Sequence, residues 1–244
     1  AERLGAFSRA AASKASIAMV TRGGYGLTRV LPQLDFAALA SSGKRWVGHS
    51  DFTAFALALL ARARGQSFLG VTGHMFAQLA TAEEDVALAS FRELLDASAE
   101  AVGWEAPGSP ACSVSGVLWG GNLSMVCALA GSPYLPRQRG ILFCEDVAEA
   151  PYRVERLLTQ LLLAGVLQRQ RAVVLGGFTE YKLTPHDAGF DMAEVTRWLR
   201  AQLKPHGVPV VTGLPFSHDH VRLTLPVGRK VRLIVEQGSA FFVY

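Results

Sequence analysis

The stretch Gly48-His49-Ser50-Asp51 joins two different kinds of sequence, a short apolar run at 45–47 and a longer helix-like run at 52–60. A serine at the turn from a strand into a helix holds its hydroxyl in the open, next to the free N–H groups of the helix's first turn. The pattern therefore predicts a nucleophile elbow on Ser50, although Phe52 stands where the usual G-x-S-x-G motif has its second glycine. The alternative is a helix that Ser50 or Asp51 simply caps.

The composition excludes several classes of protein. Half of the 244 residues are hydrophobic and 18% are charged, which predicts a folded chain with a substantial core. No apolar run approaches the roughly 20 residues of a membrane helix. The net charge of +4 is mild, and the basic residues are scattered, so neither a nucleic-acid partner nor a membrane partner is predicted.

The cysteines and glycines predict neither a metal nor a cofactor. Cys112, Cys127 and Cys144 are odd in number and lack metal-ligand spacing, which favours free thiols in a reducing compartment such as the cytoplasm. Cys127 and Cys144 lie in apolar runs and are expected to be buried. The Gly23-Gly24 pair lacks the spacing of nucleotide-binding loops.

The first half of the chain has the alternation of an α/β sheet. Strands are predicted at 16–20, 45–47 and 67–71, and helices at 1–13, 52–60 and 81–101. Short strands that alternate with amphipathic helices predict a parallel sheet, in which functional loops gather at the carboxyl ends of the strands. The loops 22–26 and 48–51 both fall at such ends, so we expect them to share one site.

The second half predicts a mixed α/β domain. Strands are expected at 140–144, 172–175 and 208–212, with helices that start at Pro151 and after Asp191. The tail at 221–225, 229–236 and 240–243 alternates like antiparallel strands. The segment 103–110 is rich in proline and glycine, which divides the chain into an N-terminal domain at 1–102, a linker at 103–115 and a C-terminal domain at 116–244.

A serine nucleophile needs a base to take its proton and a third group to orient that base. His218 follows a strand and a tight Gly-Leu-Pro turn, which makes it the favoured base. His206 lies in a helix-ending turn and is expected at the surface. His49 is adjacent to Ser50, so its side chain should point the opposite way and serve in packing.

The third group should be a carboxylate at a strand end. Glu145 and Asp146 directly follow the strand predicted at 140–144, and the residues alone do not decide between them. The alternative is that both acids favour the N-terminus of the helix that starts at Pro151.

Together these motifs resemble the LD-carboxypeptidase family of serine peptidases, which includes murein tetrapeptide carboxypeptidases and microcin C self-immunity hydrolases. The matching motifs run in the family's order over nearly the whole chain. They are Arg22-Gly23-Gly24-Tyr25-Gly26, Gly48-His49-Ser50-Asp51-Phe52-Thr53-Ala54, Leu118-Trp119-Gly120-Gly121-Asn122-Leu123, Glu145-Asp146 with Glu149-Ala150-Pro151-Tyr152-Arg153, and Gly213-Leu214-Pro215-Phe216 leading into His218.

The resemblance implies a Ser50, Glu145 and His218 triad between two domains. It places the oxyanion hole at the backbone N–H groups of Asp51 and of the turn formed by Gly23 and Gly24. Substrate contacts are expected from Trp119, as a pocket wall, and from Asn122. No metal or cofactor is implied.

The implied function is release of the terminal D-alanine from a murein tetrapeptide by a cytoplasmic homodimer during cell-wall recycling. The segment 179–190 resembles the murein-recycling branch more than the self-immunity branch, whose members cleave aminoacyl-nucleotide amides. A third alternative is an inactive binding relative. A serine-reactive probe that labels Ser50 would favour an enzyme over that reading.

The chain departs from the family's pattern in three places. It starts at Ala1 within the N-terminal domain, so the opening elements of the first sheet are expected to be missing. Ser217 replaces the glycine usually found before the histidine, and His74 stands where proline is common.

Overall fold

The structure, a computed structural model, describes residues 2–79, 86–187, 189–218 and 222–244. The helices in these ranges are α1 Glu2–Ala12, α2 Phe36–Ser41, α3 Phe52–Ala63, α4 Gly73–Leu79, α5 Val86–Leu95, α6 Leu123–Ala128, α7 Pro151–Leu163 and α8 Met192–Leu203. The strands are β1 Ile17–Met19, β2 Arg45–Gly48, β3 Ser67–Leu69, β4 Ala101–Glu105, β5 Cys112–Asn122, β6 Gly140–Val147, β7 Ala172–Thr179, β8 Val210–Val211, β9 Leu225–Val227, β10 Lys230–Glu236 and β11 Ser239–Val243.

The first sheet has the strand order β1-β2-β3-β9. Strands β1, β2 and β3 are parallel, which confirms the α/β sheet predicted for the first half of the chain. Because the strands run the same way, the loops after β1 and β2 emerge at one edge of the sheet. That edge carries both the Gly23-Gly24 turn and Ser50.

Helix α3 is buried on every face over most of its length. Every residue from Phe52 to Leu60 is buried, which explains why this run shows no polar face in the sequence. The helix packs against the first sheet and also against β5 and α6 of the second. Its first turn is therefore held between the two halves of the chain.

The second sheet has the strand order β4-β11-β10-β5-β6-β7-β8. Strands β5 to β8 are parallel, while β4, β11, β10 and β5 pair antiparallel. The predicted mixed α/β fold with antiparallel tail strands is thereby confirmed. Val154, Leu158 and Leu161 of α7 are buried and recur at helical spacing, so they form the core-facing stripe of this helix.

Two segments differ from the sequence prediction. The predicted linker 103–115 starts inside β4 and ends inside β5, so only 106–111 lies between strands. The tail strand predicted at 221–225 is instead β9, which pairs with β3 of the first sheet. Residue 221 lies outside the described residues, and so do residues 81–85 of the helix predicted at 81–101. Near its C-terminus the chain thus contributes a strand, β9, to the first sheet. The predicted domain boundaries stay a prediction.

No helix among the described residues is long and apolar enough to span a bilayer.

Candidate active site

Ser50 occupies a strained turn between β2 and α3. Its φ is 59°, in the left-handed region that residues other than glycine seldom adopt. Such residues are found most often at functional sites. Asp51 makes no side-chain cap on α3, and among the described residues the hydroxyl of Ser50 caps nothing either. The simple capping interpretation therefore fails, and the local geometry is that of a nucleophile elbow.

Two glycines make room for this turn. A Cβ on Gly48 would lie 2.4 Å from the ring of Phe52, so the residue two before the serine must be glycine. A Cβ on Gly23 would lie 2.5 Å from Cβ and 3.2 Å from Oγ of Ser50. The turn after β1 therefore lies directly against the serine, as the shared sheet edge predicts.

The turns that carry Gly23, Gly24 and Asp51 also contain backbone N–H groups, for which an oxyanion-binding role stays a prediction. Among the hydrogen bonds of the described residues, none uses the N–H of Gly23, Gly24 or Asp51. A Cβ on Gly24 would meet nothing within 4 Å, so this side of the turn is open.

Glu145 is fully buried at the carboxyl end of β6. The pairing of β6 with β7 shifts register between Cys144 and Asp146, so Glu145 lies at an irregularity of the sheet. One carboxylate oxygen accepts a weak hydrogen bond from Nδ2 of Asn122 at 3.4 Å. The other oxygen is left for a stronger partner.

That partner is His218, whose Nδ1 lies 2.7 Å from Oε2 of Glu145. An ionised carboxylate only accepts hydrogen bonds, so the ring donates through Nδ1 and its Nε2 is left with a lone pair. His218 is 19% exposed in its side chain. Burial raises the pKa of Glu145, while the hydrogen bond and charge of His218 oppose that rise.

The loop that carries His218 depends on a glycine pair in β7. A Cβ on Gly176 would lie 2.3 Å from the carbonyl oxygen of Phe216, and one on Gly177 would lie 2.6 Å from Cβ of Ser217. The N–H of Gly177 donates to Phe216 O at 2.9 Å. The serine that replaces the usual glycine at 217 thus fits because residue 177 has no side chain.

Asp146 has a different role from the one expected. It does not lie at the start of α7; it accepts hydrogen bonds from the N–H and hydroxyl of Ser124 at 2.9 and 2.8 Å, and from Nδ2 of Asn122 at 2.8 Å. Asp146 therefore stabilises the start of α6. The choice between the two acids falls on Glu145, which alone contacts His218.

Trp119 and Asn122, for which substrate contacts are predicted, are both buried, and the contacts stay a prediction. Trp119 is fully buried in the core, and its indole N–H donates to Oε1 of Gln170 at 3.2 Å. Asn122 is also buried; its amide donates to both acids and its Oδ1 accepts from Met125 N. Asn122 therefore holds the carboxylates of Glu145 and Asp146 by hydrogen bonds.

His49 is the site residue that sequence reasoning placed only in packing. Its ring does pack, edge-on against Phe216 at 5.2 Å between centroids, and it is 3% exposed. It also lies 4.7 Å from the ring of His218. Burial, followed by the positive charges of Arg222 and His218, holds the pKa of His49 well below its usual value.

Three other histidines are exposed, and two of the cysteines are buried. His74, His186 and His206 are exposed, and His220 lies outside the described residues. Cys127 and Cys144 are buried free thiols, as predicted. Burial raises the pKa of Cys127 to about 12, which makes it a poor nucleophile.

A surface hollow of about 500 Å³ opens beside the ends of β6 and β7. Ala148, Arg153, Tyr181, Lys182 and His186 are among its lining residues. Ala148 has a φ of 59°, so backbone strain occurs here as it does at Ser50. The hollow offers space for a ligand at the edge that carries Glu145.

Comparison with known proteins identifies the family. The model of the LD-carboxypeptidase N-terminal domain matches residues 1–70, and that of the LD-carboxypeptidase C-terminal domain matches residues 115–233. These matches cover well over half of the chain, which therefore belongs to the LD-carboxypeptidase family.

Several relatives are similar over most of the chain. A crystal structure of muramoyltetrapeptide carboxypeptidase from Oxalobacter formigenes is 42% identical, covers 99% of this chain and 81% of its own, and has a TM-score of 0.88. The murein tetrapeptide carboxypeptidase of Pseudomonas aeruginosa is 34% identical over 85% of this chain and 69% of that protein. The microcin C7 self-immunity protein MccF of Escherichia coli is 26% identical over 88% of this chain and 70% of that protein.

Proposed function

We propose that this chain is a serine LD-carboxypeptidase that removes the terminal D-alanine from murein tetrapeptides. The observation that carries the proposal is the 2.7 Å contact between His218 and Glu145. The ring of His218 lies 4.7 Å from that of His49, which directly precedes Ser50 in its strained turn. The names of the relatives from Oxalobacter formigenes and Pseudomonas aeruginosa support the same substrate.

The chemistry starts at Ser50. Nε2 of His218 takes the hydroxyl proton as Oγ attacks the carbonyl carbon before D-alanine, and the negative oxygen is stabilised by N–H groups at Asp51 and the Gly23-Gly24 turn. His218 then gives its proton to the amine of D-alanine, which leaves. Water, activated by the same histidine, hydrolyses the ester on Ser50. Glu145 stabilises the imidazolium in both steps.

Glu145 suits this task because of its burial. A carboxylate held away from water interacts strongly with a neighbouring positive charge. It therefore favours the protonated His218 that forms as Ser50 loses its proton. The hydrogen bond from Nδ2 of Asn122 to the other carboxylate oxygen, Oε1, restricts the movement of the Glu145 side chain.

The test is incubation with a murein tetrapeptide, with products followed by mass spectrometry. We expect loss of one D-alanine, no reaction of the tripeptide product and no effect of a chelator. Inactivation by a chelator with recovery on zinc addition would overturn the serine mechanism. The Ser50→Ala variant is the matched negative control.

The same assay separates this proposal from its alternatives. A self-immunity hydrolase would leave the tetrapeptide intact and cleave an aminoacyl sulfamoyl adenosine. A binding relative would cleave neither compound, and Ser50 would not react with a serine-directed probe. The cytoplasmic location and the homodimer also stay predictions; sedimentation of the purified chain tests the second.

A further inference from the structure

The fold brings together three metal-ligand side chains that are far apart in the sequence. One donor atom each from His49, Glu145 and His218 lies within 4.8 Å of the other two. Glu145 and His49 are buried, and His218 is partly open to solvent. Two imidazoles and one carboxylate are a ligand set that Zn²⁺ accepts in proteins, with its fourth position left open.

We propose that this cluster is an inhibitory site for Zn²⁺ or a similar transition-metal cation, with His49 as the ligand that completes it. The proposal rests on the assignment of His218 as the general base. A cation bound to Nδ1 of His218 displaces the proton there and leaves the proton of the neutral ring on Nε2, so Nε2 cannot take the proton of Ser50. The cation also occupies the Glu145 carboxylate that would stabilise the imidazolium. The enzyme is then inactive until the metal leaves, so zinc is an inhibitor and not a cofactor.

The geometry needs only a small adjustment to hold the ion. Ligand atoms on a tetrahedral zinc lie about 3.4 Å apart, since each bond is about 2.1 Å long. Glu145 Oε2 and His218 Nδ1 are already 2.7 Å apart. They would separate by about 0.7 Å, and the ligand atom of His49, which lies within 4.8 Å of both, would move closer by at most about 1.4 Å.

His49 is prepared to act as a ligand. A ligating imidazole must be neutral, and burial favours the neutral ring here. The packing against Phe216 needs only an aromatic ring, and the nitrogen atoms of His49 additionally allow a hydrogen bond with the backbone of Ser217. A histidine at this position therefore adds a property that phenylalanine would lack.

The test measures zinc binding and zinc inhibition separately. Binding is followed on chelator-treated protein by competition with a coloured zinc indicator, for wild type, for His49→Phe and for the exposed control His206→Ala. We expect one zinc per wild-type chain and per control chain. Loss of a direct ligand should weaken binding in His49→Phe at least as much as loss of an outer partner does, about 10- to 100-fold.

Inhibition is then measured against each protein's own zinc-free activity. The concentration of zinc that halves activity should rise by the same factor in His49→Phe, and a chelator should restore full activity in all three proteins. Equal zinc affinity in wild type and His49→Phe would overturn the proposal. Binding that depends on His49 in a protein that cleaves no tetrapeptide would support the metal site and refute the proposed function.

A second measurement needs no variant. Co²⁺ replaces Zn²⁺ in nitrogen and oxygen sites, and its visible absorption is strong when four ligands bind and weak when six do. We expect the strong spectrum from wild-type protein at one equivalent of Co²⁺. A weak spectrum, like that of the hydrated ion, would contradict the proposal even if His49→Phe failed to fold.

Discussion

At the residue scale, the sequence predicts which residues could react but not how each one is held. Ser50 and Glu145 could be proposed because each directly follows a strand. The hydrogen-bond partners of Asp146 and Trp119 could not be predicted, because they are Ser124 and Gln170, from distant segments of the chain. The neighbourhood of His49 and His218 could not be predicted for the same reason. The one feature of the sequence that indicates a site role for His49 is its position directly before the candidate nucleophile, Ser50.

The first prediction concerns Ser50. Ser50→Ala should lower turnover of the tetrapeptide by a factor on the order of 10⁶, as loss of a triad nucleophile does in a serine protease. The melting temperature should change little, because the hydroxyl caps nothing among the described residues. The exposed Ser8→Ala variant is the control. Turnover by Ser50→Ala above a few per cent of wild type would refute the nucleophile.

The second prediction compares the two neighbouring acids. Glu145→Gln should lower turnover by about 10⁴, because the amide stabilises the wrong tautomer of His218. Asp146→Asn should act mainly on stability, at a cost of about 1–3 kcal/mol, because it disturbs buried hydrogen bonds at the start of α6. Turnover and urea denaturation of both variants check this. Equal losses of turnover would mean that the orienting carboxylate is misassigned.

At the element scale, strands and helices follow from local patterns, whereas their close contacts do not. The predicted strands at 45–47, 67–71 and 140–144 all exist, with ends that shift by a few residues. The register shift between β6 and β7 beside Glu145 cannot be predicted from the local sequence, because it depends on how the two strands pair. The sequence contains the glycine pair 176–177, but it does not show why glycine is needed there. The reason is the close packing of the loop at 213–218 against both glycines.

The third prediction uses the two adjacent glycines of the turn after β1. Gly23→Ala would place a methyl group 2.5 Å from Cβ of Ser50, so the turn and the nucleophile must move apart. We expect at least about a 100-fold fall in turnover, since displacement by an ångström can cost this much. Gly24→Ala is the matched control, because its methyl group meets nothing within 4 Å. Similar turnover of both variants would separate this turn from the reaction.

At the scale of the whole molecule, the α/β class was predictable and the tie between the two sheets was not. Alternating elements predict a parallel sheet in each half of the chain. Nothing local in 225–227 indicates that this segment leaves the antiparallel tail and pairs with β3. That pairing is set by the burial of both partners, which depends on the complete fold.

The fourth prediction concerns stability and pH. Because the pKa of His49 is lowered in the folded state, only the unfolded chain binds this proton as the pH falls through about 6.5. His49 thus contributes stability above that pH which is lost below it. The free energy of unfolding of wild type should therefore fall relative to His49→Phe by at most about 1.4 kcal/mol per pH unit.

Urea denaturation of both proteins at a series of pH values measures this difference. Glu145, whose raised pKa acts in the opposite direction, is present in both proteins and cancels to a first approximation. A difference that stays constant with pH would show that His49 is not held neutral.

The central claim is that Ser50 is activated by the pair of His218 and Glu145. The most direct measurement is reaction with a serine-directed phosphonate probe, followed by mass mapping of the modified peptide. The account predicts one adduct, on Ser50, that is absent from Ser50→Ala and forms far more slowly in Glu145→Gln. Labelling of another serine, or equal rates in wild type and Glu145→Gln, would contradict it.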